Sequence, residues 1–226
     1  MALAADHLDF DIDGAVLHDG AALSLIGQLE RALADLPPDR AGIRLYDRLA
    51  LHALLSPNGP IGTLARARLG TAAKAVRAIL FNKTEATNWA LGWHQDRTIA
   101  VEQRRDIPGY GPWSMKAGIH HVEPPFDIIE AMITLRIHLD PVPADNAPLL
   151  IAPASQRLGR ILEREVDHIV GHLGSLACLA DRGDVWAYAT PILHASSAAK
   201  VPGHRCVLQV DYAAADLPGG LAWAGI

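Results

Sequence analysis

The sequence predicts an α+β protein in which helices of the N-terminal third pack on one face of a β-sandwich or barrel. Two observations predict this fold class: helical spacing of apolar residues is concentrated in the first third, and short extended runs between turn residues fill most of the remainder. The composition, with 50% hydrophobic and 20% charged residues, is ordinary for a globular protein and excludes disorder. At 226 residues, the chain is expected to form a single domain, 1–226.

Three helices are predicted before residue 72. Within Ala21–Leu36, leucines recur at spacings of three and four residues, and a pair of prolines ends the segment. Tyr46–Leu55 repeats the pattern and stops at a Pro-Asn-Gly-Pro turn, and the shorter Ile61–Leu69 stops at a glycine. The region of about residues 1–72 is therefore expected to be mainly helical.

The clearest predicted strand is Ile128–Leu139, because its odd-numbered positions from 129 onward are all apolar. This period of two places one face on an apolar core, while the other meets solvent or lines a polar cavity. Further strands are predicted at 79–81, 89–94, 149–152, 185–188 and 206–212, with one more helix within 159–170. Gly183-Asp184 and Pro202-Gly203 are turn signals between them.

One long stretch, at about residues 97–125, shows no clear periodicity and is rich in glycine, proline and aromatic residues. An irregular stretch of that length within a compact domain is commonly a lid over a binding site. We therefore expect about residues 73–213 to form the β-core, with a lid loop at about 97–125.

Charge and hydropathy exclude several classes of function. The chain has 20 Lys and Arg against 25 Asp and Glu, a net charge of −5, which argues against coating nucleic acid or a polybasic membrane anchor. No apolar run approaches a membrane span, and Met1–Phe10 lacks the features of a secretory signal. Cys178 and Cys206 are too few for a disulfide framework or a structural zinc site. We expect a soluble cytoplasmic protein without nucleic-acid or membrane partners.

The histidines indicate a metal site. His94 and Asp96 follow a strand-like run, and residues two apart in an extended chain face the same side, so their side chains can meet at one point. His194, which follows the predicted strand 185–188, is the candidate third ligand. Two histidines and one carboxylate on one face of an octahedron hold non-haem Fe(II), leaving positions open for a cosubstrate and oxygen.

Two side chains beyond His194 favour 2-oxoglutarate as that cosubstrate. Ser196 and Arg205 lie two and eleven residues after His194. 2-Oxoglutarate chelates iron through its 1-carboxylate and 2-keto group, so its 5-carboxylate is left for a planar cation with two parallel donors. Arg205 is predicted to bind this carboxylate, with the Ser196 hydroxyl as a neighbouring donor.

Several short segments occur in an order typical of one enzyme family. They are Phe81-Asn82-Lys83, Asn88-Trp89, Trp93-His94-Gln95-Asp96, Asp145–Leu149, Pro153–Gln156, Gly183-Asp184-Val185, His194–Ser196 and His204-Arg205. In this order, from about Phe10 to Tyr212, they resemble the phytanoyl-CoA dioxygenase family of Fe(II)- and 2-oxoglutarate-dependent oxygenases. The resemblance implies a double-stranded β-helix, the cupin-like jelly roll. It also implies His94, Asp96 and His194 as iron ligands, and Arg205 with Ser196 as the 2-oxoglutarate anchor.

The resemblance suggests two further contacts to the cosubstrate. Asn82 lies where some relatives contact 2-oxoglutarate. In a jelly roll, the strand ending at Leu139 would turn Thr134 and Arg136 inward as pocket residues, and Thr134 is predicted to bind the cosubstrate. Four other histidines are not expected to bind metal, since adjacent histidines diverge and the helical pair lacks a third ligand. These are His120, His121, His168 and His172.

The chain departs from the family pattern in two loops. Relatives often have Asn-Gly-Pro-Leu in the first loop, where this chain has Ala147 in place of the glycine. They often have Pro-Gly-Ser-His in the second loop, where this chain has Ala154 and Gln156. The ligand set is unaffected. Because Asp96 is present, where halogenating relatives have a small residue, the resemblance implies hydroxylation or a related C–H oxidation.

The sequence therefore predicts an Fe(II)- and 2-oxoglutarate-dependent dioxygenase that uses O2 to oxidise a C–H bond of a small-molecule metabolite. Two alternatives stay open: a non-redox zinc enzyme with the same ligands and a bound water, and a catalytically idle cupin-like binding module. The zinc enzyme has no evident use for Arg205 and Ser196, and an idle relative is expected to lose ligands. The sequence does not identify the substrate or the oligomeric state.

Overall fold

The computed structural model describes residues 8–38, 40–201 and 203–226. The strands are β1 (Ala15–His18), β2 (Gly42–Leu45), β3 (Lys74–Lys83), β4 (Leu91–His94), β5 (Ile99–Val101), β6 (Trp113–Lys116), β7 (Ile119–Val122), β8 (Ile133–His138), β9 (Leu149–Ile151), β10 (Leu176–Cys178), β11 (Val185–Ala189), β12 (His194–Ser196) and β13 (Arg205–Ala213). The helices are α1 (Phe10–Asp13), α2 (Ile26–Leu33), α3 (Leu49–Leu55), α4 (Gly62–Leu69), α5 (Phe126–Glu130) and α6 (Val166–Leu173). None of these helices is long and apolar enough to cross a membrane.

Two antiparallel sheets form the jelly roll that the resemblance implies. The larger has the strand order β1-β11-β8-β13-β3-β2, and the smaller has the order β10-β9-β12-β4. Leu149 and Ile151 of the smaller sheet share one buried apolar cluster with Trp186 and Tyr188 of the larger sheet. The sheets therefore face each other and pack at one end through these side chains, and the predicted fold class is confirmed.

The predicted helices cover the outer face of the six-stranded sheet. Leu29 of α2 and Leu55 of α3 are fully buried in one cluster with Leu80, Leu135 and Val210 of the sheet. In α2, the apolar residues that recur at three- and four-residue spacing form the stripe that faces the sheet. The predicted packing of N-terminal helices on one sheet is therefore confirmed.

The predicted strand 128–139 is wrong in its first half and right in its second. Residues 126–130 form α5, whose Ile129 packs in a separate apolar cluster beside the third sheet. The strand begins at Ile133, and its odd-numbered residues face the helices while its even-numbered residues are buried on the inner side. Alternation therefore identified the inner face, but spacing alone did not separate a short helix from a strand.

Two regions contain strands that the sequence did not predict. β1 and β2 are the two edges of the larger sheet, so the region 1–72 is not only helical. The expected lid at 97–125 contains β5, β6 and β7, a third sheet whose Ile99 and Val122 pack against Leu217 and Leu221. Each of these strands has three or four residues, too few for alternation to be recognised. Closure of this segment over a ligand stays a prediction.

Three predicted loop features have different outcomes. Ala147 and Ala154 have φ of 52° and 65°, the left-handed region that favours glycine. Both alanines therefore stand at positions whose backbone conformation favours glycine. The Asp184 carboxylate accepts hydrogen bonds from Gly20 N and Asp181 N at 2.7 Å each, so Gly183-Asp184 is a structural turn. The predicted turn at Pro202-Gly203 includes Pro202, which lies outside the described residues, as does most of Met1–Phe10.

Candidate metal centre and cosubstrate pocket

Strand pairing brings the three predicted metal ligands together. β12 pairs with β4 so that His194 lies directly opposite His94, with ring centroids 4.3 Å apart. Asp96 follows two residues after His94, and one ligand atom from each of the three side chains lies within 4.8 Å of the others. Among the described residues, no other group of His, Cys, Asp or Glu meets this geometry.

Gln95 holds the extended chain so that the side chains of both of its neighbours point into the site. Its Nε2 donates hydrogen bonds to the carbonyl oxygens of Pro191 (2.8 Å) and Gly159 (3.0 Å), and its Oε1 accepts one from Ile161 N at 2.8 Å. Because successive side chains in an extended chain point to opposite sides, anchoring Gln95 on one side directs His94 and Asp96 to the other.

Backbone carbonyls orient both imidazoles. Nδ1 of His94 lies 2.8 Å from the carbonyl oxygen of Gly92, and Nδ1 of His194 lies 2.9 Å from that of Ile192. When each Nδ1–H donates to its carbonyl, Nε2 is left with a free lone pair for a metal, as is usual for ligating histidines. Burial, with the nearby His94, lowers the pKa of His194 to about 4, so this imidazole is neutral at pH 7.

Arg77 holds the carboxylate ligand, and the sequence analysis did not identify it. Its Nη2 donates to Asp96 Oδ2 at 2.9 Å, and its Nε donates to Asp211, which lies opposite it on β13. Burial alone would raise the pKa of Asp96, but the Arg77 guanidinium together with His194 and His94 outweighs burial and lowers it. A lone arginine within the apolar run 75–81 was the available signal, because a charge buried in a strand needs a partner.

The predicted metal ligands open onto a cavity of about 230 Å³ that Ser196 and Arg205 also line. Arg205 is 2% exposed, its Nη1 donates to the carbonyl oxygen of Ala147, and its Nε has no partner. The Ser196 hydroxyl lies 3.5 Å from the same carbonyl oxygen. The predicted cosubstrate anchor and the metal ligands therefore share one cavity.

Two more cations adjoin Arg205. Lys83 lies opposite it on β3, and Lys83 Nζ donates to Trp89 O (2.7 Å), Ser197 O (3.0 Å) and Ser196 Oγ (3.2 Å). Arg136 also lines the cavity, and its Nη1 donates to Gln209 Oε1 at 2.9 Å. Burial and these neighbouring cations lower the pKa of Lys83 to about 8. Within the described part of the chain, none of these cations has a carboxylate partner.

This donor set fits Fe(II) and 2-oxoglutarate. Two imidazole nitrogens and one carboxylate oxygen on the wall of a cavity leave the remaining coordination positions open to the cavity. The unpartnered, buried Nε atoms of Arg136 and Arg205 are donors that lack acceptors, and a carboxylate supplies such acceptors.

A model of the phytanoyl-CoA dioxygenase (PhyH) family matches residues 43–206, well over half of the chain. The chain belongs to this family. It is therefore a 2-oxoglutarate-dependent non-haem iron oxygenase, with Fe(II) as its metal and 2-oxoglutarate and O2 as its cosubstrates. A comparison with curated protein sequences gives no match.

Solved structures of similar fold include those of EctD, HygX and SnoN. EctD from S. alaskensis in its apoform has a TM-score of 0.64 and 18% identity, and the match covers 91% of this chain and 74% of that one. HygX from Streptomyces hygroscopicus with iron bound has a TM-score of 0.62, 15% identity and coverages of 94% and 87%. SnoN, a non-heme alpha-ketoglutarate-dependent epimerase from nogalamycin biosynthesis, has a TM-score of 0.59, 14% identity and coverages of 93% and 87%. At these identities the likeness concerns the fold.

Two predicted cosubstrate contacts of this PhyH-family chain do not reach the cavity. Asn82 is on the outer face of β3, where its Nδ2 donates to Pro38 O at 2.6 Å, because the cavity is lined by the alternate residues of that strand. The Thr134 hydroxyl is on the inner face, as predicted, but is 2.9 Å from Asp211 Oδ1 and 3.1 Å from Thr190 Oγ1. Thr134 thus supports the Arg77–Asp211 pair and does not line the cavity.

The four histidines that the sequence analysis set aside as metal ligands lie outside the ligand cluster. His120 and His121 are successive residues of β7, and only His121 is fully buried, with its Nδ1 3.0 Å from Ile119 O. His168 and His172 are on α6, and neither belongs to the cluster of three ligands. That none of these four residues binds the metal stays a prediction.

Proposed function

We propose that His94, Asp96 and His194 hold Fe(II), that Arg205 and Ser196 bind the distal carboxylate of 2-oxoglutarate, and that the enzyme oxidises a C–H bond of a small molecule. One observation carries this proposal: the ligand cluster shares its cavity with a buried arginine that has no carboxylate partner. An uncompensated buried guanidinium is costly, and a bound carboxylate removes that cost.

When bound, the iron with 2-oxoglutarate and O2 supplies the oxidant for the C–H bond, while 2-oxoglutarate is converted to succinate and carbon dioxide. The protein residues orient and shield these reactants. Arg77 and the carbonyls of Gly92 and Ile192 fix the three ligands. Ile79 and Leu149 give the cavity apolar walls that reduce access of water.

The cavity supports a small substrate. Its volume of about 230 Å³ lies just below the range of about 300–1,000 Å³ that is usual for ligand pockets. Among the similar folds, EctD has been solved with 2-oxoglutarate and 5-hydroxyectoine, and HygX with hygromycin B, both small molecules. We extend this substrate class to the present chain. The single-domain organisation and the cytoplasmic location remain predictions.

The test compares metals in the same protein. We expect the Fe(II)-reconstituted chain to release succinate from 2-oxoglutarate under air, even without substrate at a slow uncoupled rate, and the Zn(II)-reconstituted chain to release none. His94→Ala should abolish the release, whereas His168→Ala, on the surface helix α6, should retain it. If the Zn(II)-reconstituted chain had a hydrolytic activity equal to that of the Fe(II)-reconstituted chain, this would favour the zinc enzyme. Absence of 2-oxoglutarate binding with either metal would favour the idle module.

A further inference from the structure

A second cationic pair, Arg44 and Lys116, lines the same cavity beside the metal ligands. Lys116 Nζ is 3.5 Å from the Thr98 hydroxyl, and the Thr98 carbonyl accepts a hydrogen bond from Arg77 at 3.2 Å. Arg44 lies opposite Ile79 in the β2–β3 register, and both side chains line the cavity. The pair therefore adjoins Arg77, the residue that holds the Asp96 ligand.

This pair is separate from the predicted 2-oxoglutarate anchor. Along β3, Ile79 and Lys83 are four residues apart, about 13 Å at the rise of an extended strand. Lys83 is paired with Arg205 of the neighbouring strand β13, whereas Ile79, two residues from Arg77, is paired with Arg44 of β2. The 2-oxoglutarate carboxylate bound at Arg205 therefore does not neutralise Arg44 and Lys116.

The pair has no anion to neutralise it. Among the described residues, neither Arg44 nor Lys116 forms an ion pair, and the buried Nε of Arg44 has no hydrogen-bond partner. Asp96 is the one carboxylate in the cavity wall, and Arg77 already binds it. Burial, together with neighbouring guanidinium groups, lowers the pKa of both Arg44 and Lys116.

Binding of the metal and cosubstrate leaves this imbalance in place. Fe(II) carries two positive charges and 2-oxoglutarate two negative charges, so together they add no net charge to the cavity. The two half-buried cations next to the metal then still lack an acceptor, and a further anion in the substrate position would supply it.

We propose that Arg44 and Lys116 bind an anionic group, a carboxylate or a phosphate, of the small-molecule substrate. This inference rests on the proposed function and adds to it the substrate class and two specificity-determining residues. The oxidised C–H bond then belongs to a molecule whose anionic end is fixed at β2 and β6, while the metal lies beside it.

The experiment uses the full chain loaded with Fe(II) and saturating 2-oxoglutarate without oxygen, so that the anchor at Arg205 is occupied. The probes are matched pairs: benzoate and benzamide, phenylacetate and phenylacetamide, phenyl phosphate and phenol. Calorimetric titration gives the dissociation constant of each probe. We expect at least one anion to bind about tenfold or more tighter than its neutral partner, the range expected for a charged hydrogen-bonded contact.

The variant Arg44→Gln/Lys116→Gln should reduce that preference to about threefold or less, since both cations are removed. The matched control Arg164→Gln/Lys200→Gln removes two exposed cations outside the cavity and should retain the preference. Equal binding of anion and neutral partner in the wild type, or an unchanged preference in the cavity variant, would overturn the inference.

The charge-transfer absorption of the Fe(II)·2-oxoglutarate complex separates this inference from the proposed function. Wild type and both double variants should bind 2-oxoglutarate with the same affinity. If wild type binds no 2-oxoglutarate, the proposed function itself fails. If 2-oxoglutarate binds normally and no anion is preferred, only the assignment of Arg44 and Lys116 fails.

Discussion

Replacing Arg77 by methionine tests the buried ion-pair network behind the metal centre. Arg77 bridges Asp96 and Asp211, and its side chain is 10% exposed while that of Asp211 is 1% exposed. Methionine fills similar space but leaves the Asp211 carboxylate with hydroxyl and amide neighbours and no cation. We expect both stability and metal binding to fall, for two separable reasons.

The magnitudes follow from burial. Removing one partner of a buried ion pair costs about 3–5 kcal/mol, and this is a large part of the 5–15 kcal/mol that stabilises a typical domain. Asp96, which is 22% exposed, also loses its orienting donor. Loss of such a supporting contact weakens metal binding by about 10–100-fold.

A second variant separates folding from positioning. Arg77→Met/Asp211→Asn removes the guanidinium and the fully buried carboxylate, so it should regain part of the lost free energy of unfolding, because only the 22% exposed Asp96 is left without its cation. Its iron affinity should stay low, since Asp96 still lacks the guanidinium. Arg160→Met is the surface control: Arg160 pairs with Glu123 at 2.7 Å but is 43% exposed, so its loss should cost less than about 1 kcal/mol.

The assay combines denaturant unfolding of the metal-free protein, followed by tryptophan fluorescence, with anaerobic Fe(II) titration against a chelator. Wild-type stability and iron affinity in Arg77→Met would refute the reasoning. Recovery of iron affinity in the double variant would show that Arg77 acts on the fold alone.

Three further predictions concern the ligands, the cosubstrate pocket and a loop. His94→Ala should lower the bound iron from one equivalent to near zero while circular dichroism stays unchanged, because the apolar faces supply the folding energy; full iron content in the variant would contradict the ligand assignment. Burial and the neighbouring Arg205 and Arg136 lower the pKa of Lys83 to about 8. 2-Oxoglutarate binds more tightly when Lys83 is protonated, so the dissociation constant of 2-oxoglutarate should rise about threefold from pH 7 to 9. Lys83→Arg, whose charge does not titrate there, should flatten this dependence, and an equally steep dependence in that variant would exclude Lys83. Ala154→Gly removes the steric strain of an alanine at a φ of 65° and should raise the free energy of unfolding by about 0.5–1 kcal/mol, measured by urea denaturation. An increase smaller than this would show that the loop tolerates alanine without strain.

Local patterns in the sequence predicted the three side chains that the structure brings together as candidate metal ligands. His94 and Asp96 are two residues apart on an extended segment, and this spacing alone directs both side chains to one side. His194 was chosen for its position after the predicted strand 185–188 and before Ser196 and Arg205, because the β4–β12 pairing that places it opposite His94 is not visible in the sequence. The helices over the larger sheet were predictable because leucines in α2 and α3 repeat at helical spacing.

Features that depend on strand register were not predictable. Arg77 meets Asp96 and Asp211 across sequence separations of 19 and 134 residues, and only the β3–β13 register brings the second pair together. Asn82 was misassigned because a shift of one residue along a strand moves a side chain to the opposite face. Arg44 was missed for a related reason, since β2 has four residues and shows no alternation.

Anaerobic titration of the Fe(II) protein with 2-oxoglutarate tests the central claim most directly. The claim is that this cavity holds Fe(II) and anchors the distal carboxylate of the cosubstrate on Arg205. The wild type should develop the metal-to-ligand charge-transfer band, and the surface control Arg164→Ala should match it. Arg205→Lys should weaken binding, because the planar pair of donors is lost. Arg205→Ala should weaken it by about 2–5 kcal/mol, roughly 30-fold or more, with little change in iron affinity. Absence of the band in the wild type, or an unchanged dissociation constant in Arg205→Ala, would contradict the account.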